Sequence, residues 1–194
     1  RDHLRFFDAH VLELEQAEAE TLAGEITAIY ADLGWQLHVA APDRWYLSLD
    51  AEPDIRTFPP SEIVGRVVDP YLPAGPDASR WNALMTEMQM VLHMSEVNVR
   101  RERAGRLPVN SVWFWGNGPR PDVPTIEAQV YADDAIGRAL ATASGSTVCA
   151  LDDSPPGLIG EQSETVIVDE RLLRPSLYAE SELWRAARDT LETR

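Results

Sequence analysis

The sequence predicts an α/β fold whose first half is α+β, a mixed sheet flanked by helices. Strands and helices alternate from Ile126 onward, the order that parallel pairing through crossover helices requires. Two β-rich runs flank a short turn near Pro42, as in an antiparallel hairpin. Two longer stretches repeat apolar residues every three or four positions, the period of an amphipathic helix.

Leu4 to Leu14 reads as extended and apolar, and Glu15 to Leu33 as a helix closed by Gly34. Trp35 to Ala40 and Trp45 to Leu49 are the two hairpin strands, joined through Ala41-Pro42-Asp43-Arg44. A proline-rich connector, Pro53 to Pro76, holds a short helical piece at Ser61 to Arg66. Asp77 is an N-cap for a helix through Trp81, Leu84, Met85, Met88, Val91 and Leu92, with Met90 and Met94 read as further core filling. A helical turn carries Asn98 to Ala104 and stops at Gly105; Ser111 to Trp115 follows as a strand. Next come strands at Ile126 to Tyr131, Thr147 to Leu151 and Thr165 to Val168, a helix at Asp133 to Ala143, and a closing helix from Ser176 to Thr190. The expected division is residues 1–124 as an α+β domain and 125–194 as an α/β segment packed on it or continuous with it.

Composition narrows the function. A hydrophobic fraction of 44% over 194 residues supports a folded core. No apolar run is long enough for a membrane helix, and the chain opens without a signal-peptide progression, so no membrane partner is expected and a cytoplasmic setting is. The lone Cys149, in an apolar run, reads as a buried thiol. A net charge of −15 repels polyanions, which argues against nucleic acid. Every basic residue is arginine. Without lysine there is no Schiff base, lysine general base or P-loop lysine. The opening at Arg1, with no initiator Met, suggests a piece of something longer.

Against that acidic background Arg100, Arg101, Arg103 and Arg106 fall within seven residues. Guanidinium forks bind carboxylate or phosphate in a bidentate manner, so one reading is an anion site, with Asn98 and Asn110 as neutral hydrogen-bonding groups. The other is a solvated helix end whose cations answer the helix dipole. Trp113 and Trp115 alternate with Phe114, which fits either a central strand or a stacking platform. Asp133-Asp134 and Asp152-Asp153 read as a cap and a loop before they read as a hard-cation site.

The spaced set Asn98-x-x-Arg101-x-x-x-Gly105-x-x-Pro108-x-Asn110, followed by Gly116-x-Gly118, resembles a segment of archaeal-type cofactor-independent phosphoglycerate mutases, where it belongs to a domain inserted beside an alkaline-phosphatase-like core. Arg44 and Asp69-Pro70 stand in the same order. Through Asn110-Ser111 and Trp113-Phe114-Trp115-Gly116 the chain more closely resembles bacterial RpfE-type regulatory proteins of phosphoglycerate-mutase type. The resemblance implies a mutase-like fold and, taken together with the arginine passage, the expected ligand site is Arg44, Asn98, Arg101, Arg106, Asn110, Trp115 and Asn117. Where the mutase segment has Arg before Gly-x-Gly, this chain has Trp115. The mutases also need two divalent metals and a Ser nucleophile, whereas His3, His10, His38 and His93 lie outside any Asp-x-x-Gly-His cluster.

The expectation is a regulatory or non-catalytic domain that binds a small phosphorylated or carboxylated metabolite, with no metal or other cofactor held within this chain. Two alternatives stand beside it: the substrate-recognition part of a mutase-like enzyme using Mn²⁺ or Mg²⁺, or a module whose arginines meet an acidic protein partner.

Overall fold

The computed structural model describes residues 4–153 and 164–192, in two compact units, Arg1–Pro119 and Arg120–Arg194. Both are built of helices and small sheets, a mixed α/β chain.

In the first unit, α1 (Gln16–Ile29) buries Ala19, Leu22, Ala23 and Ile26, one stripe at helical spacing. Its start is fixed by the Glu15 amide, which donates to Glu18 Oε2 at 3.1 Å, the return half of a capping box. After a 3-10 turn at Ala31–Leu33, Gly34 takes φ +67° and releases the chain into the hairpin. Strands β1 (Gln36–Ala41) and β2 (Arg44–Ser48) pair antiparallel with His38 opposite Tyr46, around a turn at Pro42 and Asp43. Leu37, Trp45, Leu47 and Leu49 pack on a core of Leu22, Ile26, Trp35, Met88 and Leu92, each worth roughly 1.5–3 kcal/mol when fully buried. The connector contributes α2 (Pro60–Ile63) and an isolated bridge, Arg56 to Ala74. Helices α3 (Ala78–Met94) and α4 (Glu96–Arg103) meet at Ser95, whose hydroxyl accepts from the Val97 amide at 3.1 Å and so restarts the helix.

Several expected elements differ here. Leu4 to Leu14 forms a single bridge, Arg5 to Val67, and a 3-10 turn at Ala9–Leu12 instead of a strand. Among the described residues Ser111 to Trp115 joins no ladder, and its side chains hold it instead. Trp113 Nε1 donates to the Phe58 carbonyl at 2.8 Å, and Phe114 stands edge-on to Trp81 and Trp35. Asp77 precedes α3, but its carboxylate accepts from the Asp54 amide at 2.9 Å, tying down the connector instead of capping the helix. Met85 and Met88 are core; Met90 and Met94 point to solvent.

In the second unit, β3 (Gln129–Ala132), α5 (Ala135–Ala143), β4 (Thr147–Cys149) and β5 (Thr165–Val168) build a parallel sheet of order β4-β3-β5 among the described residues. Ala128, Val130, Ala132 and Ala141 form its core. The Asp134 carboxylate accepts from the Gly137 amide at 2.6 Å and caps α5. The expected closing helix is two, α6 (Leu173–Leu177) and α7 (Ser181–Glu192), because Ala179 at φ +55° breaks the helical path between them. Cys149 is half-buried, with Gln129 donating to its sulfur at 3.6 Å.

Candidate functional site

Helix α4 turns one face inward, and Val97, Asn98 and Arg101 are its buried residues. Arg101 is only 1% exposed, an unusual place for a guanidinium. Every side of it meets the protein: NH1 lies 2.6 Å from Glu18 Oε2, Nε donates to the Leu107 carbonyl at 2.8 Å, and NH2 donates to the Leu12 carbonyl. Asn98 is equally engaged. Its amide donates to the carbonyls of Leu92 and Val109 at 2.7 and 2.9 Å, while its oxygen accepts from the Val109 amide at 2.8 Å. Arg106 donates to Glu15 Oε1 at 2.9 Å and to the Glu13 carbonyl at 2.6 Å; the Glu15 hydrogen bond holds its guanidinium above its ordinary pKa.

Arg101 and Arg106 clamp the helix-to-loop passage onto residues 12–18, and Asn98 ties α4 to the loop at Val109. Asn98 and Arg101 are buried and hydrogen-bonded within the fold, whereas the Arg106 side chain is 33% exposed and keeps N–H donors beyond these two contacts. The sequence reading missed the partners, Glu15 and Glu18. Their capping spacing marks a helix start; what they bind 83 or more residues away leaves no local trace.

The remaining expected site residues are placed differently. Asn110 and Trp115 face solvent. Asn117 donates to the Ile55 carbonyl at 3.1 Å and accepts from Thr57 Oγ1 at 2.9 Å, which pins the Gly116-Asn117-Gly118 turn to the connector. Arg44, first residue of β2, is half-buried, and its Nε is out of water with no hydrogen-bond partner. Among the described residues no hydrogen bond or ion pair joins Arg44 to Asn110, Trp115 or Asn117.

The two divalent metals implied by the resemblance require convergent His and Asp ligands. Among the described residues no three His, Cys, Asp or Glu side chains gather in that way. The acids that follow the strands of the second unit are partly engaged: Asp133 accepts from the Leu151 amide at 3.1 Å, Asp169 is forked by Arg171, and Asp134 caps α5 through Oδ1 while its Oδ2 stays buried without a partner. The described residues do not fit such a centre.

No protein-family model matches the chain. It is 32% identical over 119 residues to a 2,3-bisphosphoglycerate-independent phosphoglycerate mutase of Methanosarcina barkeri, covering 61% of this chain and 28% of the mutase. It is also 32% identical over 127 residues to such a mutase of Methanothermobacter thermautotrophicus, covering 61% of this chain and 30% of that one. Among solved structures, a cofactor-independent phosphoglycerate mutase from Thermoplasma acidophilum aligns with 93% of this chain and 55% of its own, at TM-score 0.45 and 18% identity. The chain's homologues are thus archaeal-type cofactor-independent phosphoglycerate mutases, matched over part of its length, and it spans less than a third of the curated relatives it matches.

Proposed function

We propose that this chain is a mutase-related domain of RpfE type that binds a small phosphorylated or carboxylated metabolite in the cytoplasm and does not itself turn it over, in a regulatory setting. The observation that carries the reading is Arg44. A buried donor without an acceptor costs about 1–3 kcal/mol, a cost removed when a bound anion supplies the oxygen. A guanidinium fork suits carboxylate or phosphate, and an arginine holds its charge at any physiological pH. The exposed Trp115 and Asn110 remain available beside the protein's surface for stacking and neutral hydrogen bonds.

A second reading is favoured by the mutases among the relatives: the recognition part of a mutase-like enzyme whose metal ligands lie elsewhere. Thermal-shift titration with 2- and 3-phosphoglycerate and inorganic phosphate, with and without Mn²⁺, separates the two. Binding to the folded state alone stabilises by about 2.7 kcal/mol at a ligand concentration of 100 Kd. The expected result is a metal-independent shift that Arg44→Ala abolishes without lowering the unliganded melting temperature. A shift that needs Mn²⁺ supports the enzyme reading. No shift with any of these ligands overturns both and directs attention to an acidic protein partner.

A further inference from the structure

The second unit holds a topological switch point. From β3 the chain crosses through α5 to β4 on one side, and β5 then pairs on the other. At such a point the carboxyl ends of parallel strands open a crevice in which ligands of α/β proteins bind. Here those ends release Asp133 and Asp134 after β3, Asp152 after β4, and Asp169 and Glu170 after β5. Carboxylates crowded together call for a cation, in the form of a metal, protons or a basic side chain.

Two guanidinium groups of this chain stand at these ends. Arg171 Nε donates to both carboxylate oxygens of Asp169, at 2.9 and 3.0 Å, its NH2 donates to the same group, and its backbone amide adds a contact to Oδ1 at 3.1 Å. Arg138, from α5, donates to the carbonyls that end β3 and β4, Ala132 at 2.9 Å and Cys149 at 3.5 Å. The field of Asp152 and Asp133 reaches Arg171 as well: the Asp169 hydrogen bond raises its pKa first, and the charges of Asp169, Asp152 and Asp133 raise it further. Glu170, on the same turn, is pushed up by burial and by Asp134.

We infer that Arg171, seconded by Arg138, is a built-in counter-ion that occupies the cation position at the carboxyl ends of the sheet, so that the folded second unit is neutralised by its own chain and not by a divalent metal. The donor chemistry decides between these occupants. A fork fixed on Asp169 leaves that carboxylate without a free face for a metal, Asp133 and Asp134 have each given an oxygen to a backbone amide, and the Asp134 Oδ2 left buried without a partner is a lone oxygen where no three ligating side chains gather among the described residues.

The test uses the full chain and reads hydrogen exchange of the β3 amides, which reports the second unit alone, with Mn²⁺ or Mg²⁺ as the only additive. Arg171→Gln is expected to lower protection at pH 7 on the order of ten- to a hundredfold, the range for losing charge-assisted hydrogen bonds. The loss should shrink as pH falls into the carboxylate range, about pH 4, where protons replace the missing cation. Mn²⁺ should restore protection in Arg171→Gln and leave the unsubstituted protein unchanged, while Arg171→Lys, which keeps the charge, should retain most of it. Unaltered protection in Arg171→Gln would overturn the inference. So would Mn²⁺ protecting the unsubstituted protein, a readout that stands even if Arg171→Gln fails to fold.

Discussion

Arg101→Met tests the clamp most directly, because methionine keeps much of the side-chain volume and removes only the guanidinium. Breaking a buried ion pair from one side costs about 3–5 kcal/mol. The lower end applies here. Glu18 is 18% exposed and keeps the Glu15 amide at 3.1 Å after the arginine has gone, so its charge is not stranded. The carbonyls of Leu12 and Leu107 lose a donor each, which keeps the total near 3 kcal/mol instead of below it. With a urea m-value of about 2 kcal/mol/M, the midpoint should fall by about 1.5 M at unchanged m. Arg101→Lys should fall between the two proteins, since an ammonium can answer Glu18 but cannot span three acceptors. An arginine that served only as an exposed anion ligand would instead leave stability almost unchanged on that substitution. A double-mutant cycle with Glu18→Gln should give a coupling of about 0.5–3 kcal/mol. Arg101→Met within about 0.5 kcal/mol of the unsubstituted protein would refute the clamp, since that is the range of an ordinary surface change.

Asn98→Leu leaves the Val109 carbonyl and amide unmatched in a buried turn, while the Leu92 carbonyl keeps the Ser95 amide, and should cost about 2–4 kcal/mol by the same denaturation assay. Two glycines should part company on substitution by alanine. Gly105 has φ +72° with nothing within 4 Å of an added Cβ, so its cost is the left-handed backbone alone, about 1 kcal/mol. At Gly75, φ is +129° and the Cβ would stand 2.7 Å from the Asp54 carbonyl, so the connector itself must move and the loss should be clearly larger. For Glu170, burial and then Asp134 raise the folded pKa above 4.5, so its favourable contribution is complete below that value and is lost as pH rises through the folded one. Glu170→Gln should therefore raise the melting temperature at pH 7 and leave it unchanged near about pH 3; a fall at pH 7 would contradict that sign.

The hairpin was legible because both of its signals are local, a Pro-Asp turn and alternation along Trp45 to Leu49. Strand β5 was legible for the same reason, a four-residue β-branched run between Glu164 and Asp169. Ser111 to Trp115 shows the limit. Its alternation is real, and Phe114 and Trp113 do point to different partners, but a strand needs a second strand, and sequence does not say that Phe58 and Trp81 take its place. The break at Ala179 was hidden because alanine is a strong helix former and seldom has positive φ. The arginine passage stood out in the sequence, yet its role depended on Leu12, Glu15 and Glu18, residues brought to it only by the folding of α1 against α4.

The chain's exclusive use of arginine then has a structural meaning, and it bears on Arg44. Arg101 joins α4 to the carbonyls of Leu12 and Leu107, Arg106 reaches Glu13, Arg5 donates to the Gly65 carbonyl at 2.9 Å, and Arg138 reaches the ends of two strands. Each uses a planar fork to connect backbone segments, which a lysine, as a single point of charge, does poorly. Arg100 and Arg103 are exposed and have water instead. Arg44 fits neither pattern. Its Nε is shielded from water, yet among the described residues it reaches no carbonyl and no carboxylate, in a protein with 32 acids. On the reading proposed above, the acceptor for Arg44 comes from outside the chain, and the negative charge elsewhere on the surface makes a small anion held by a fork a better match than a polyanion.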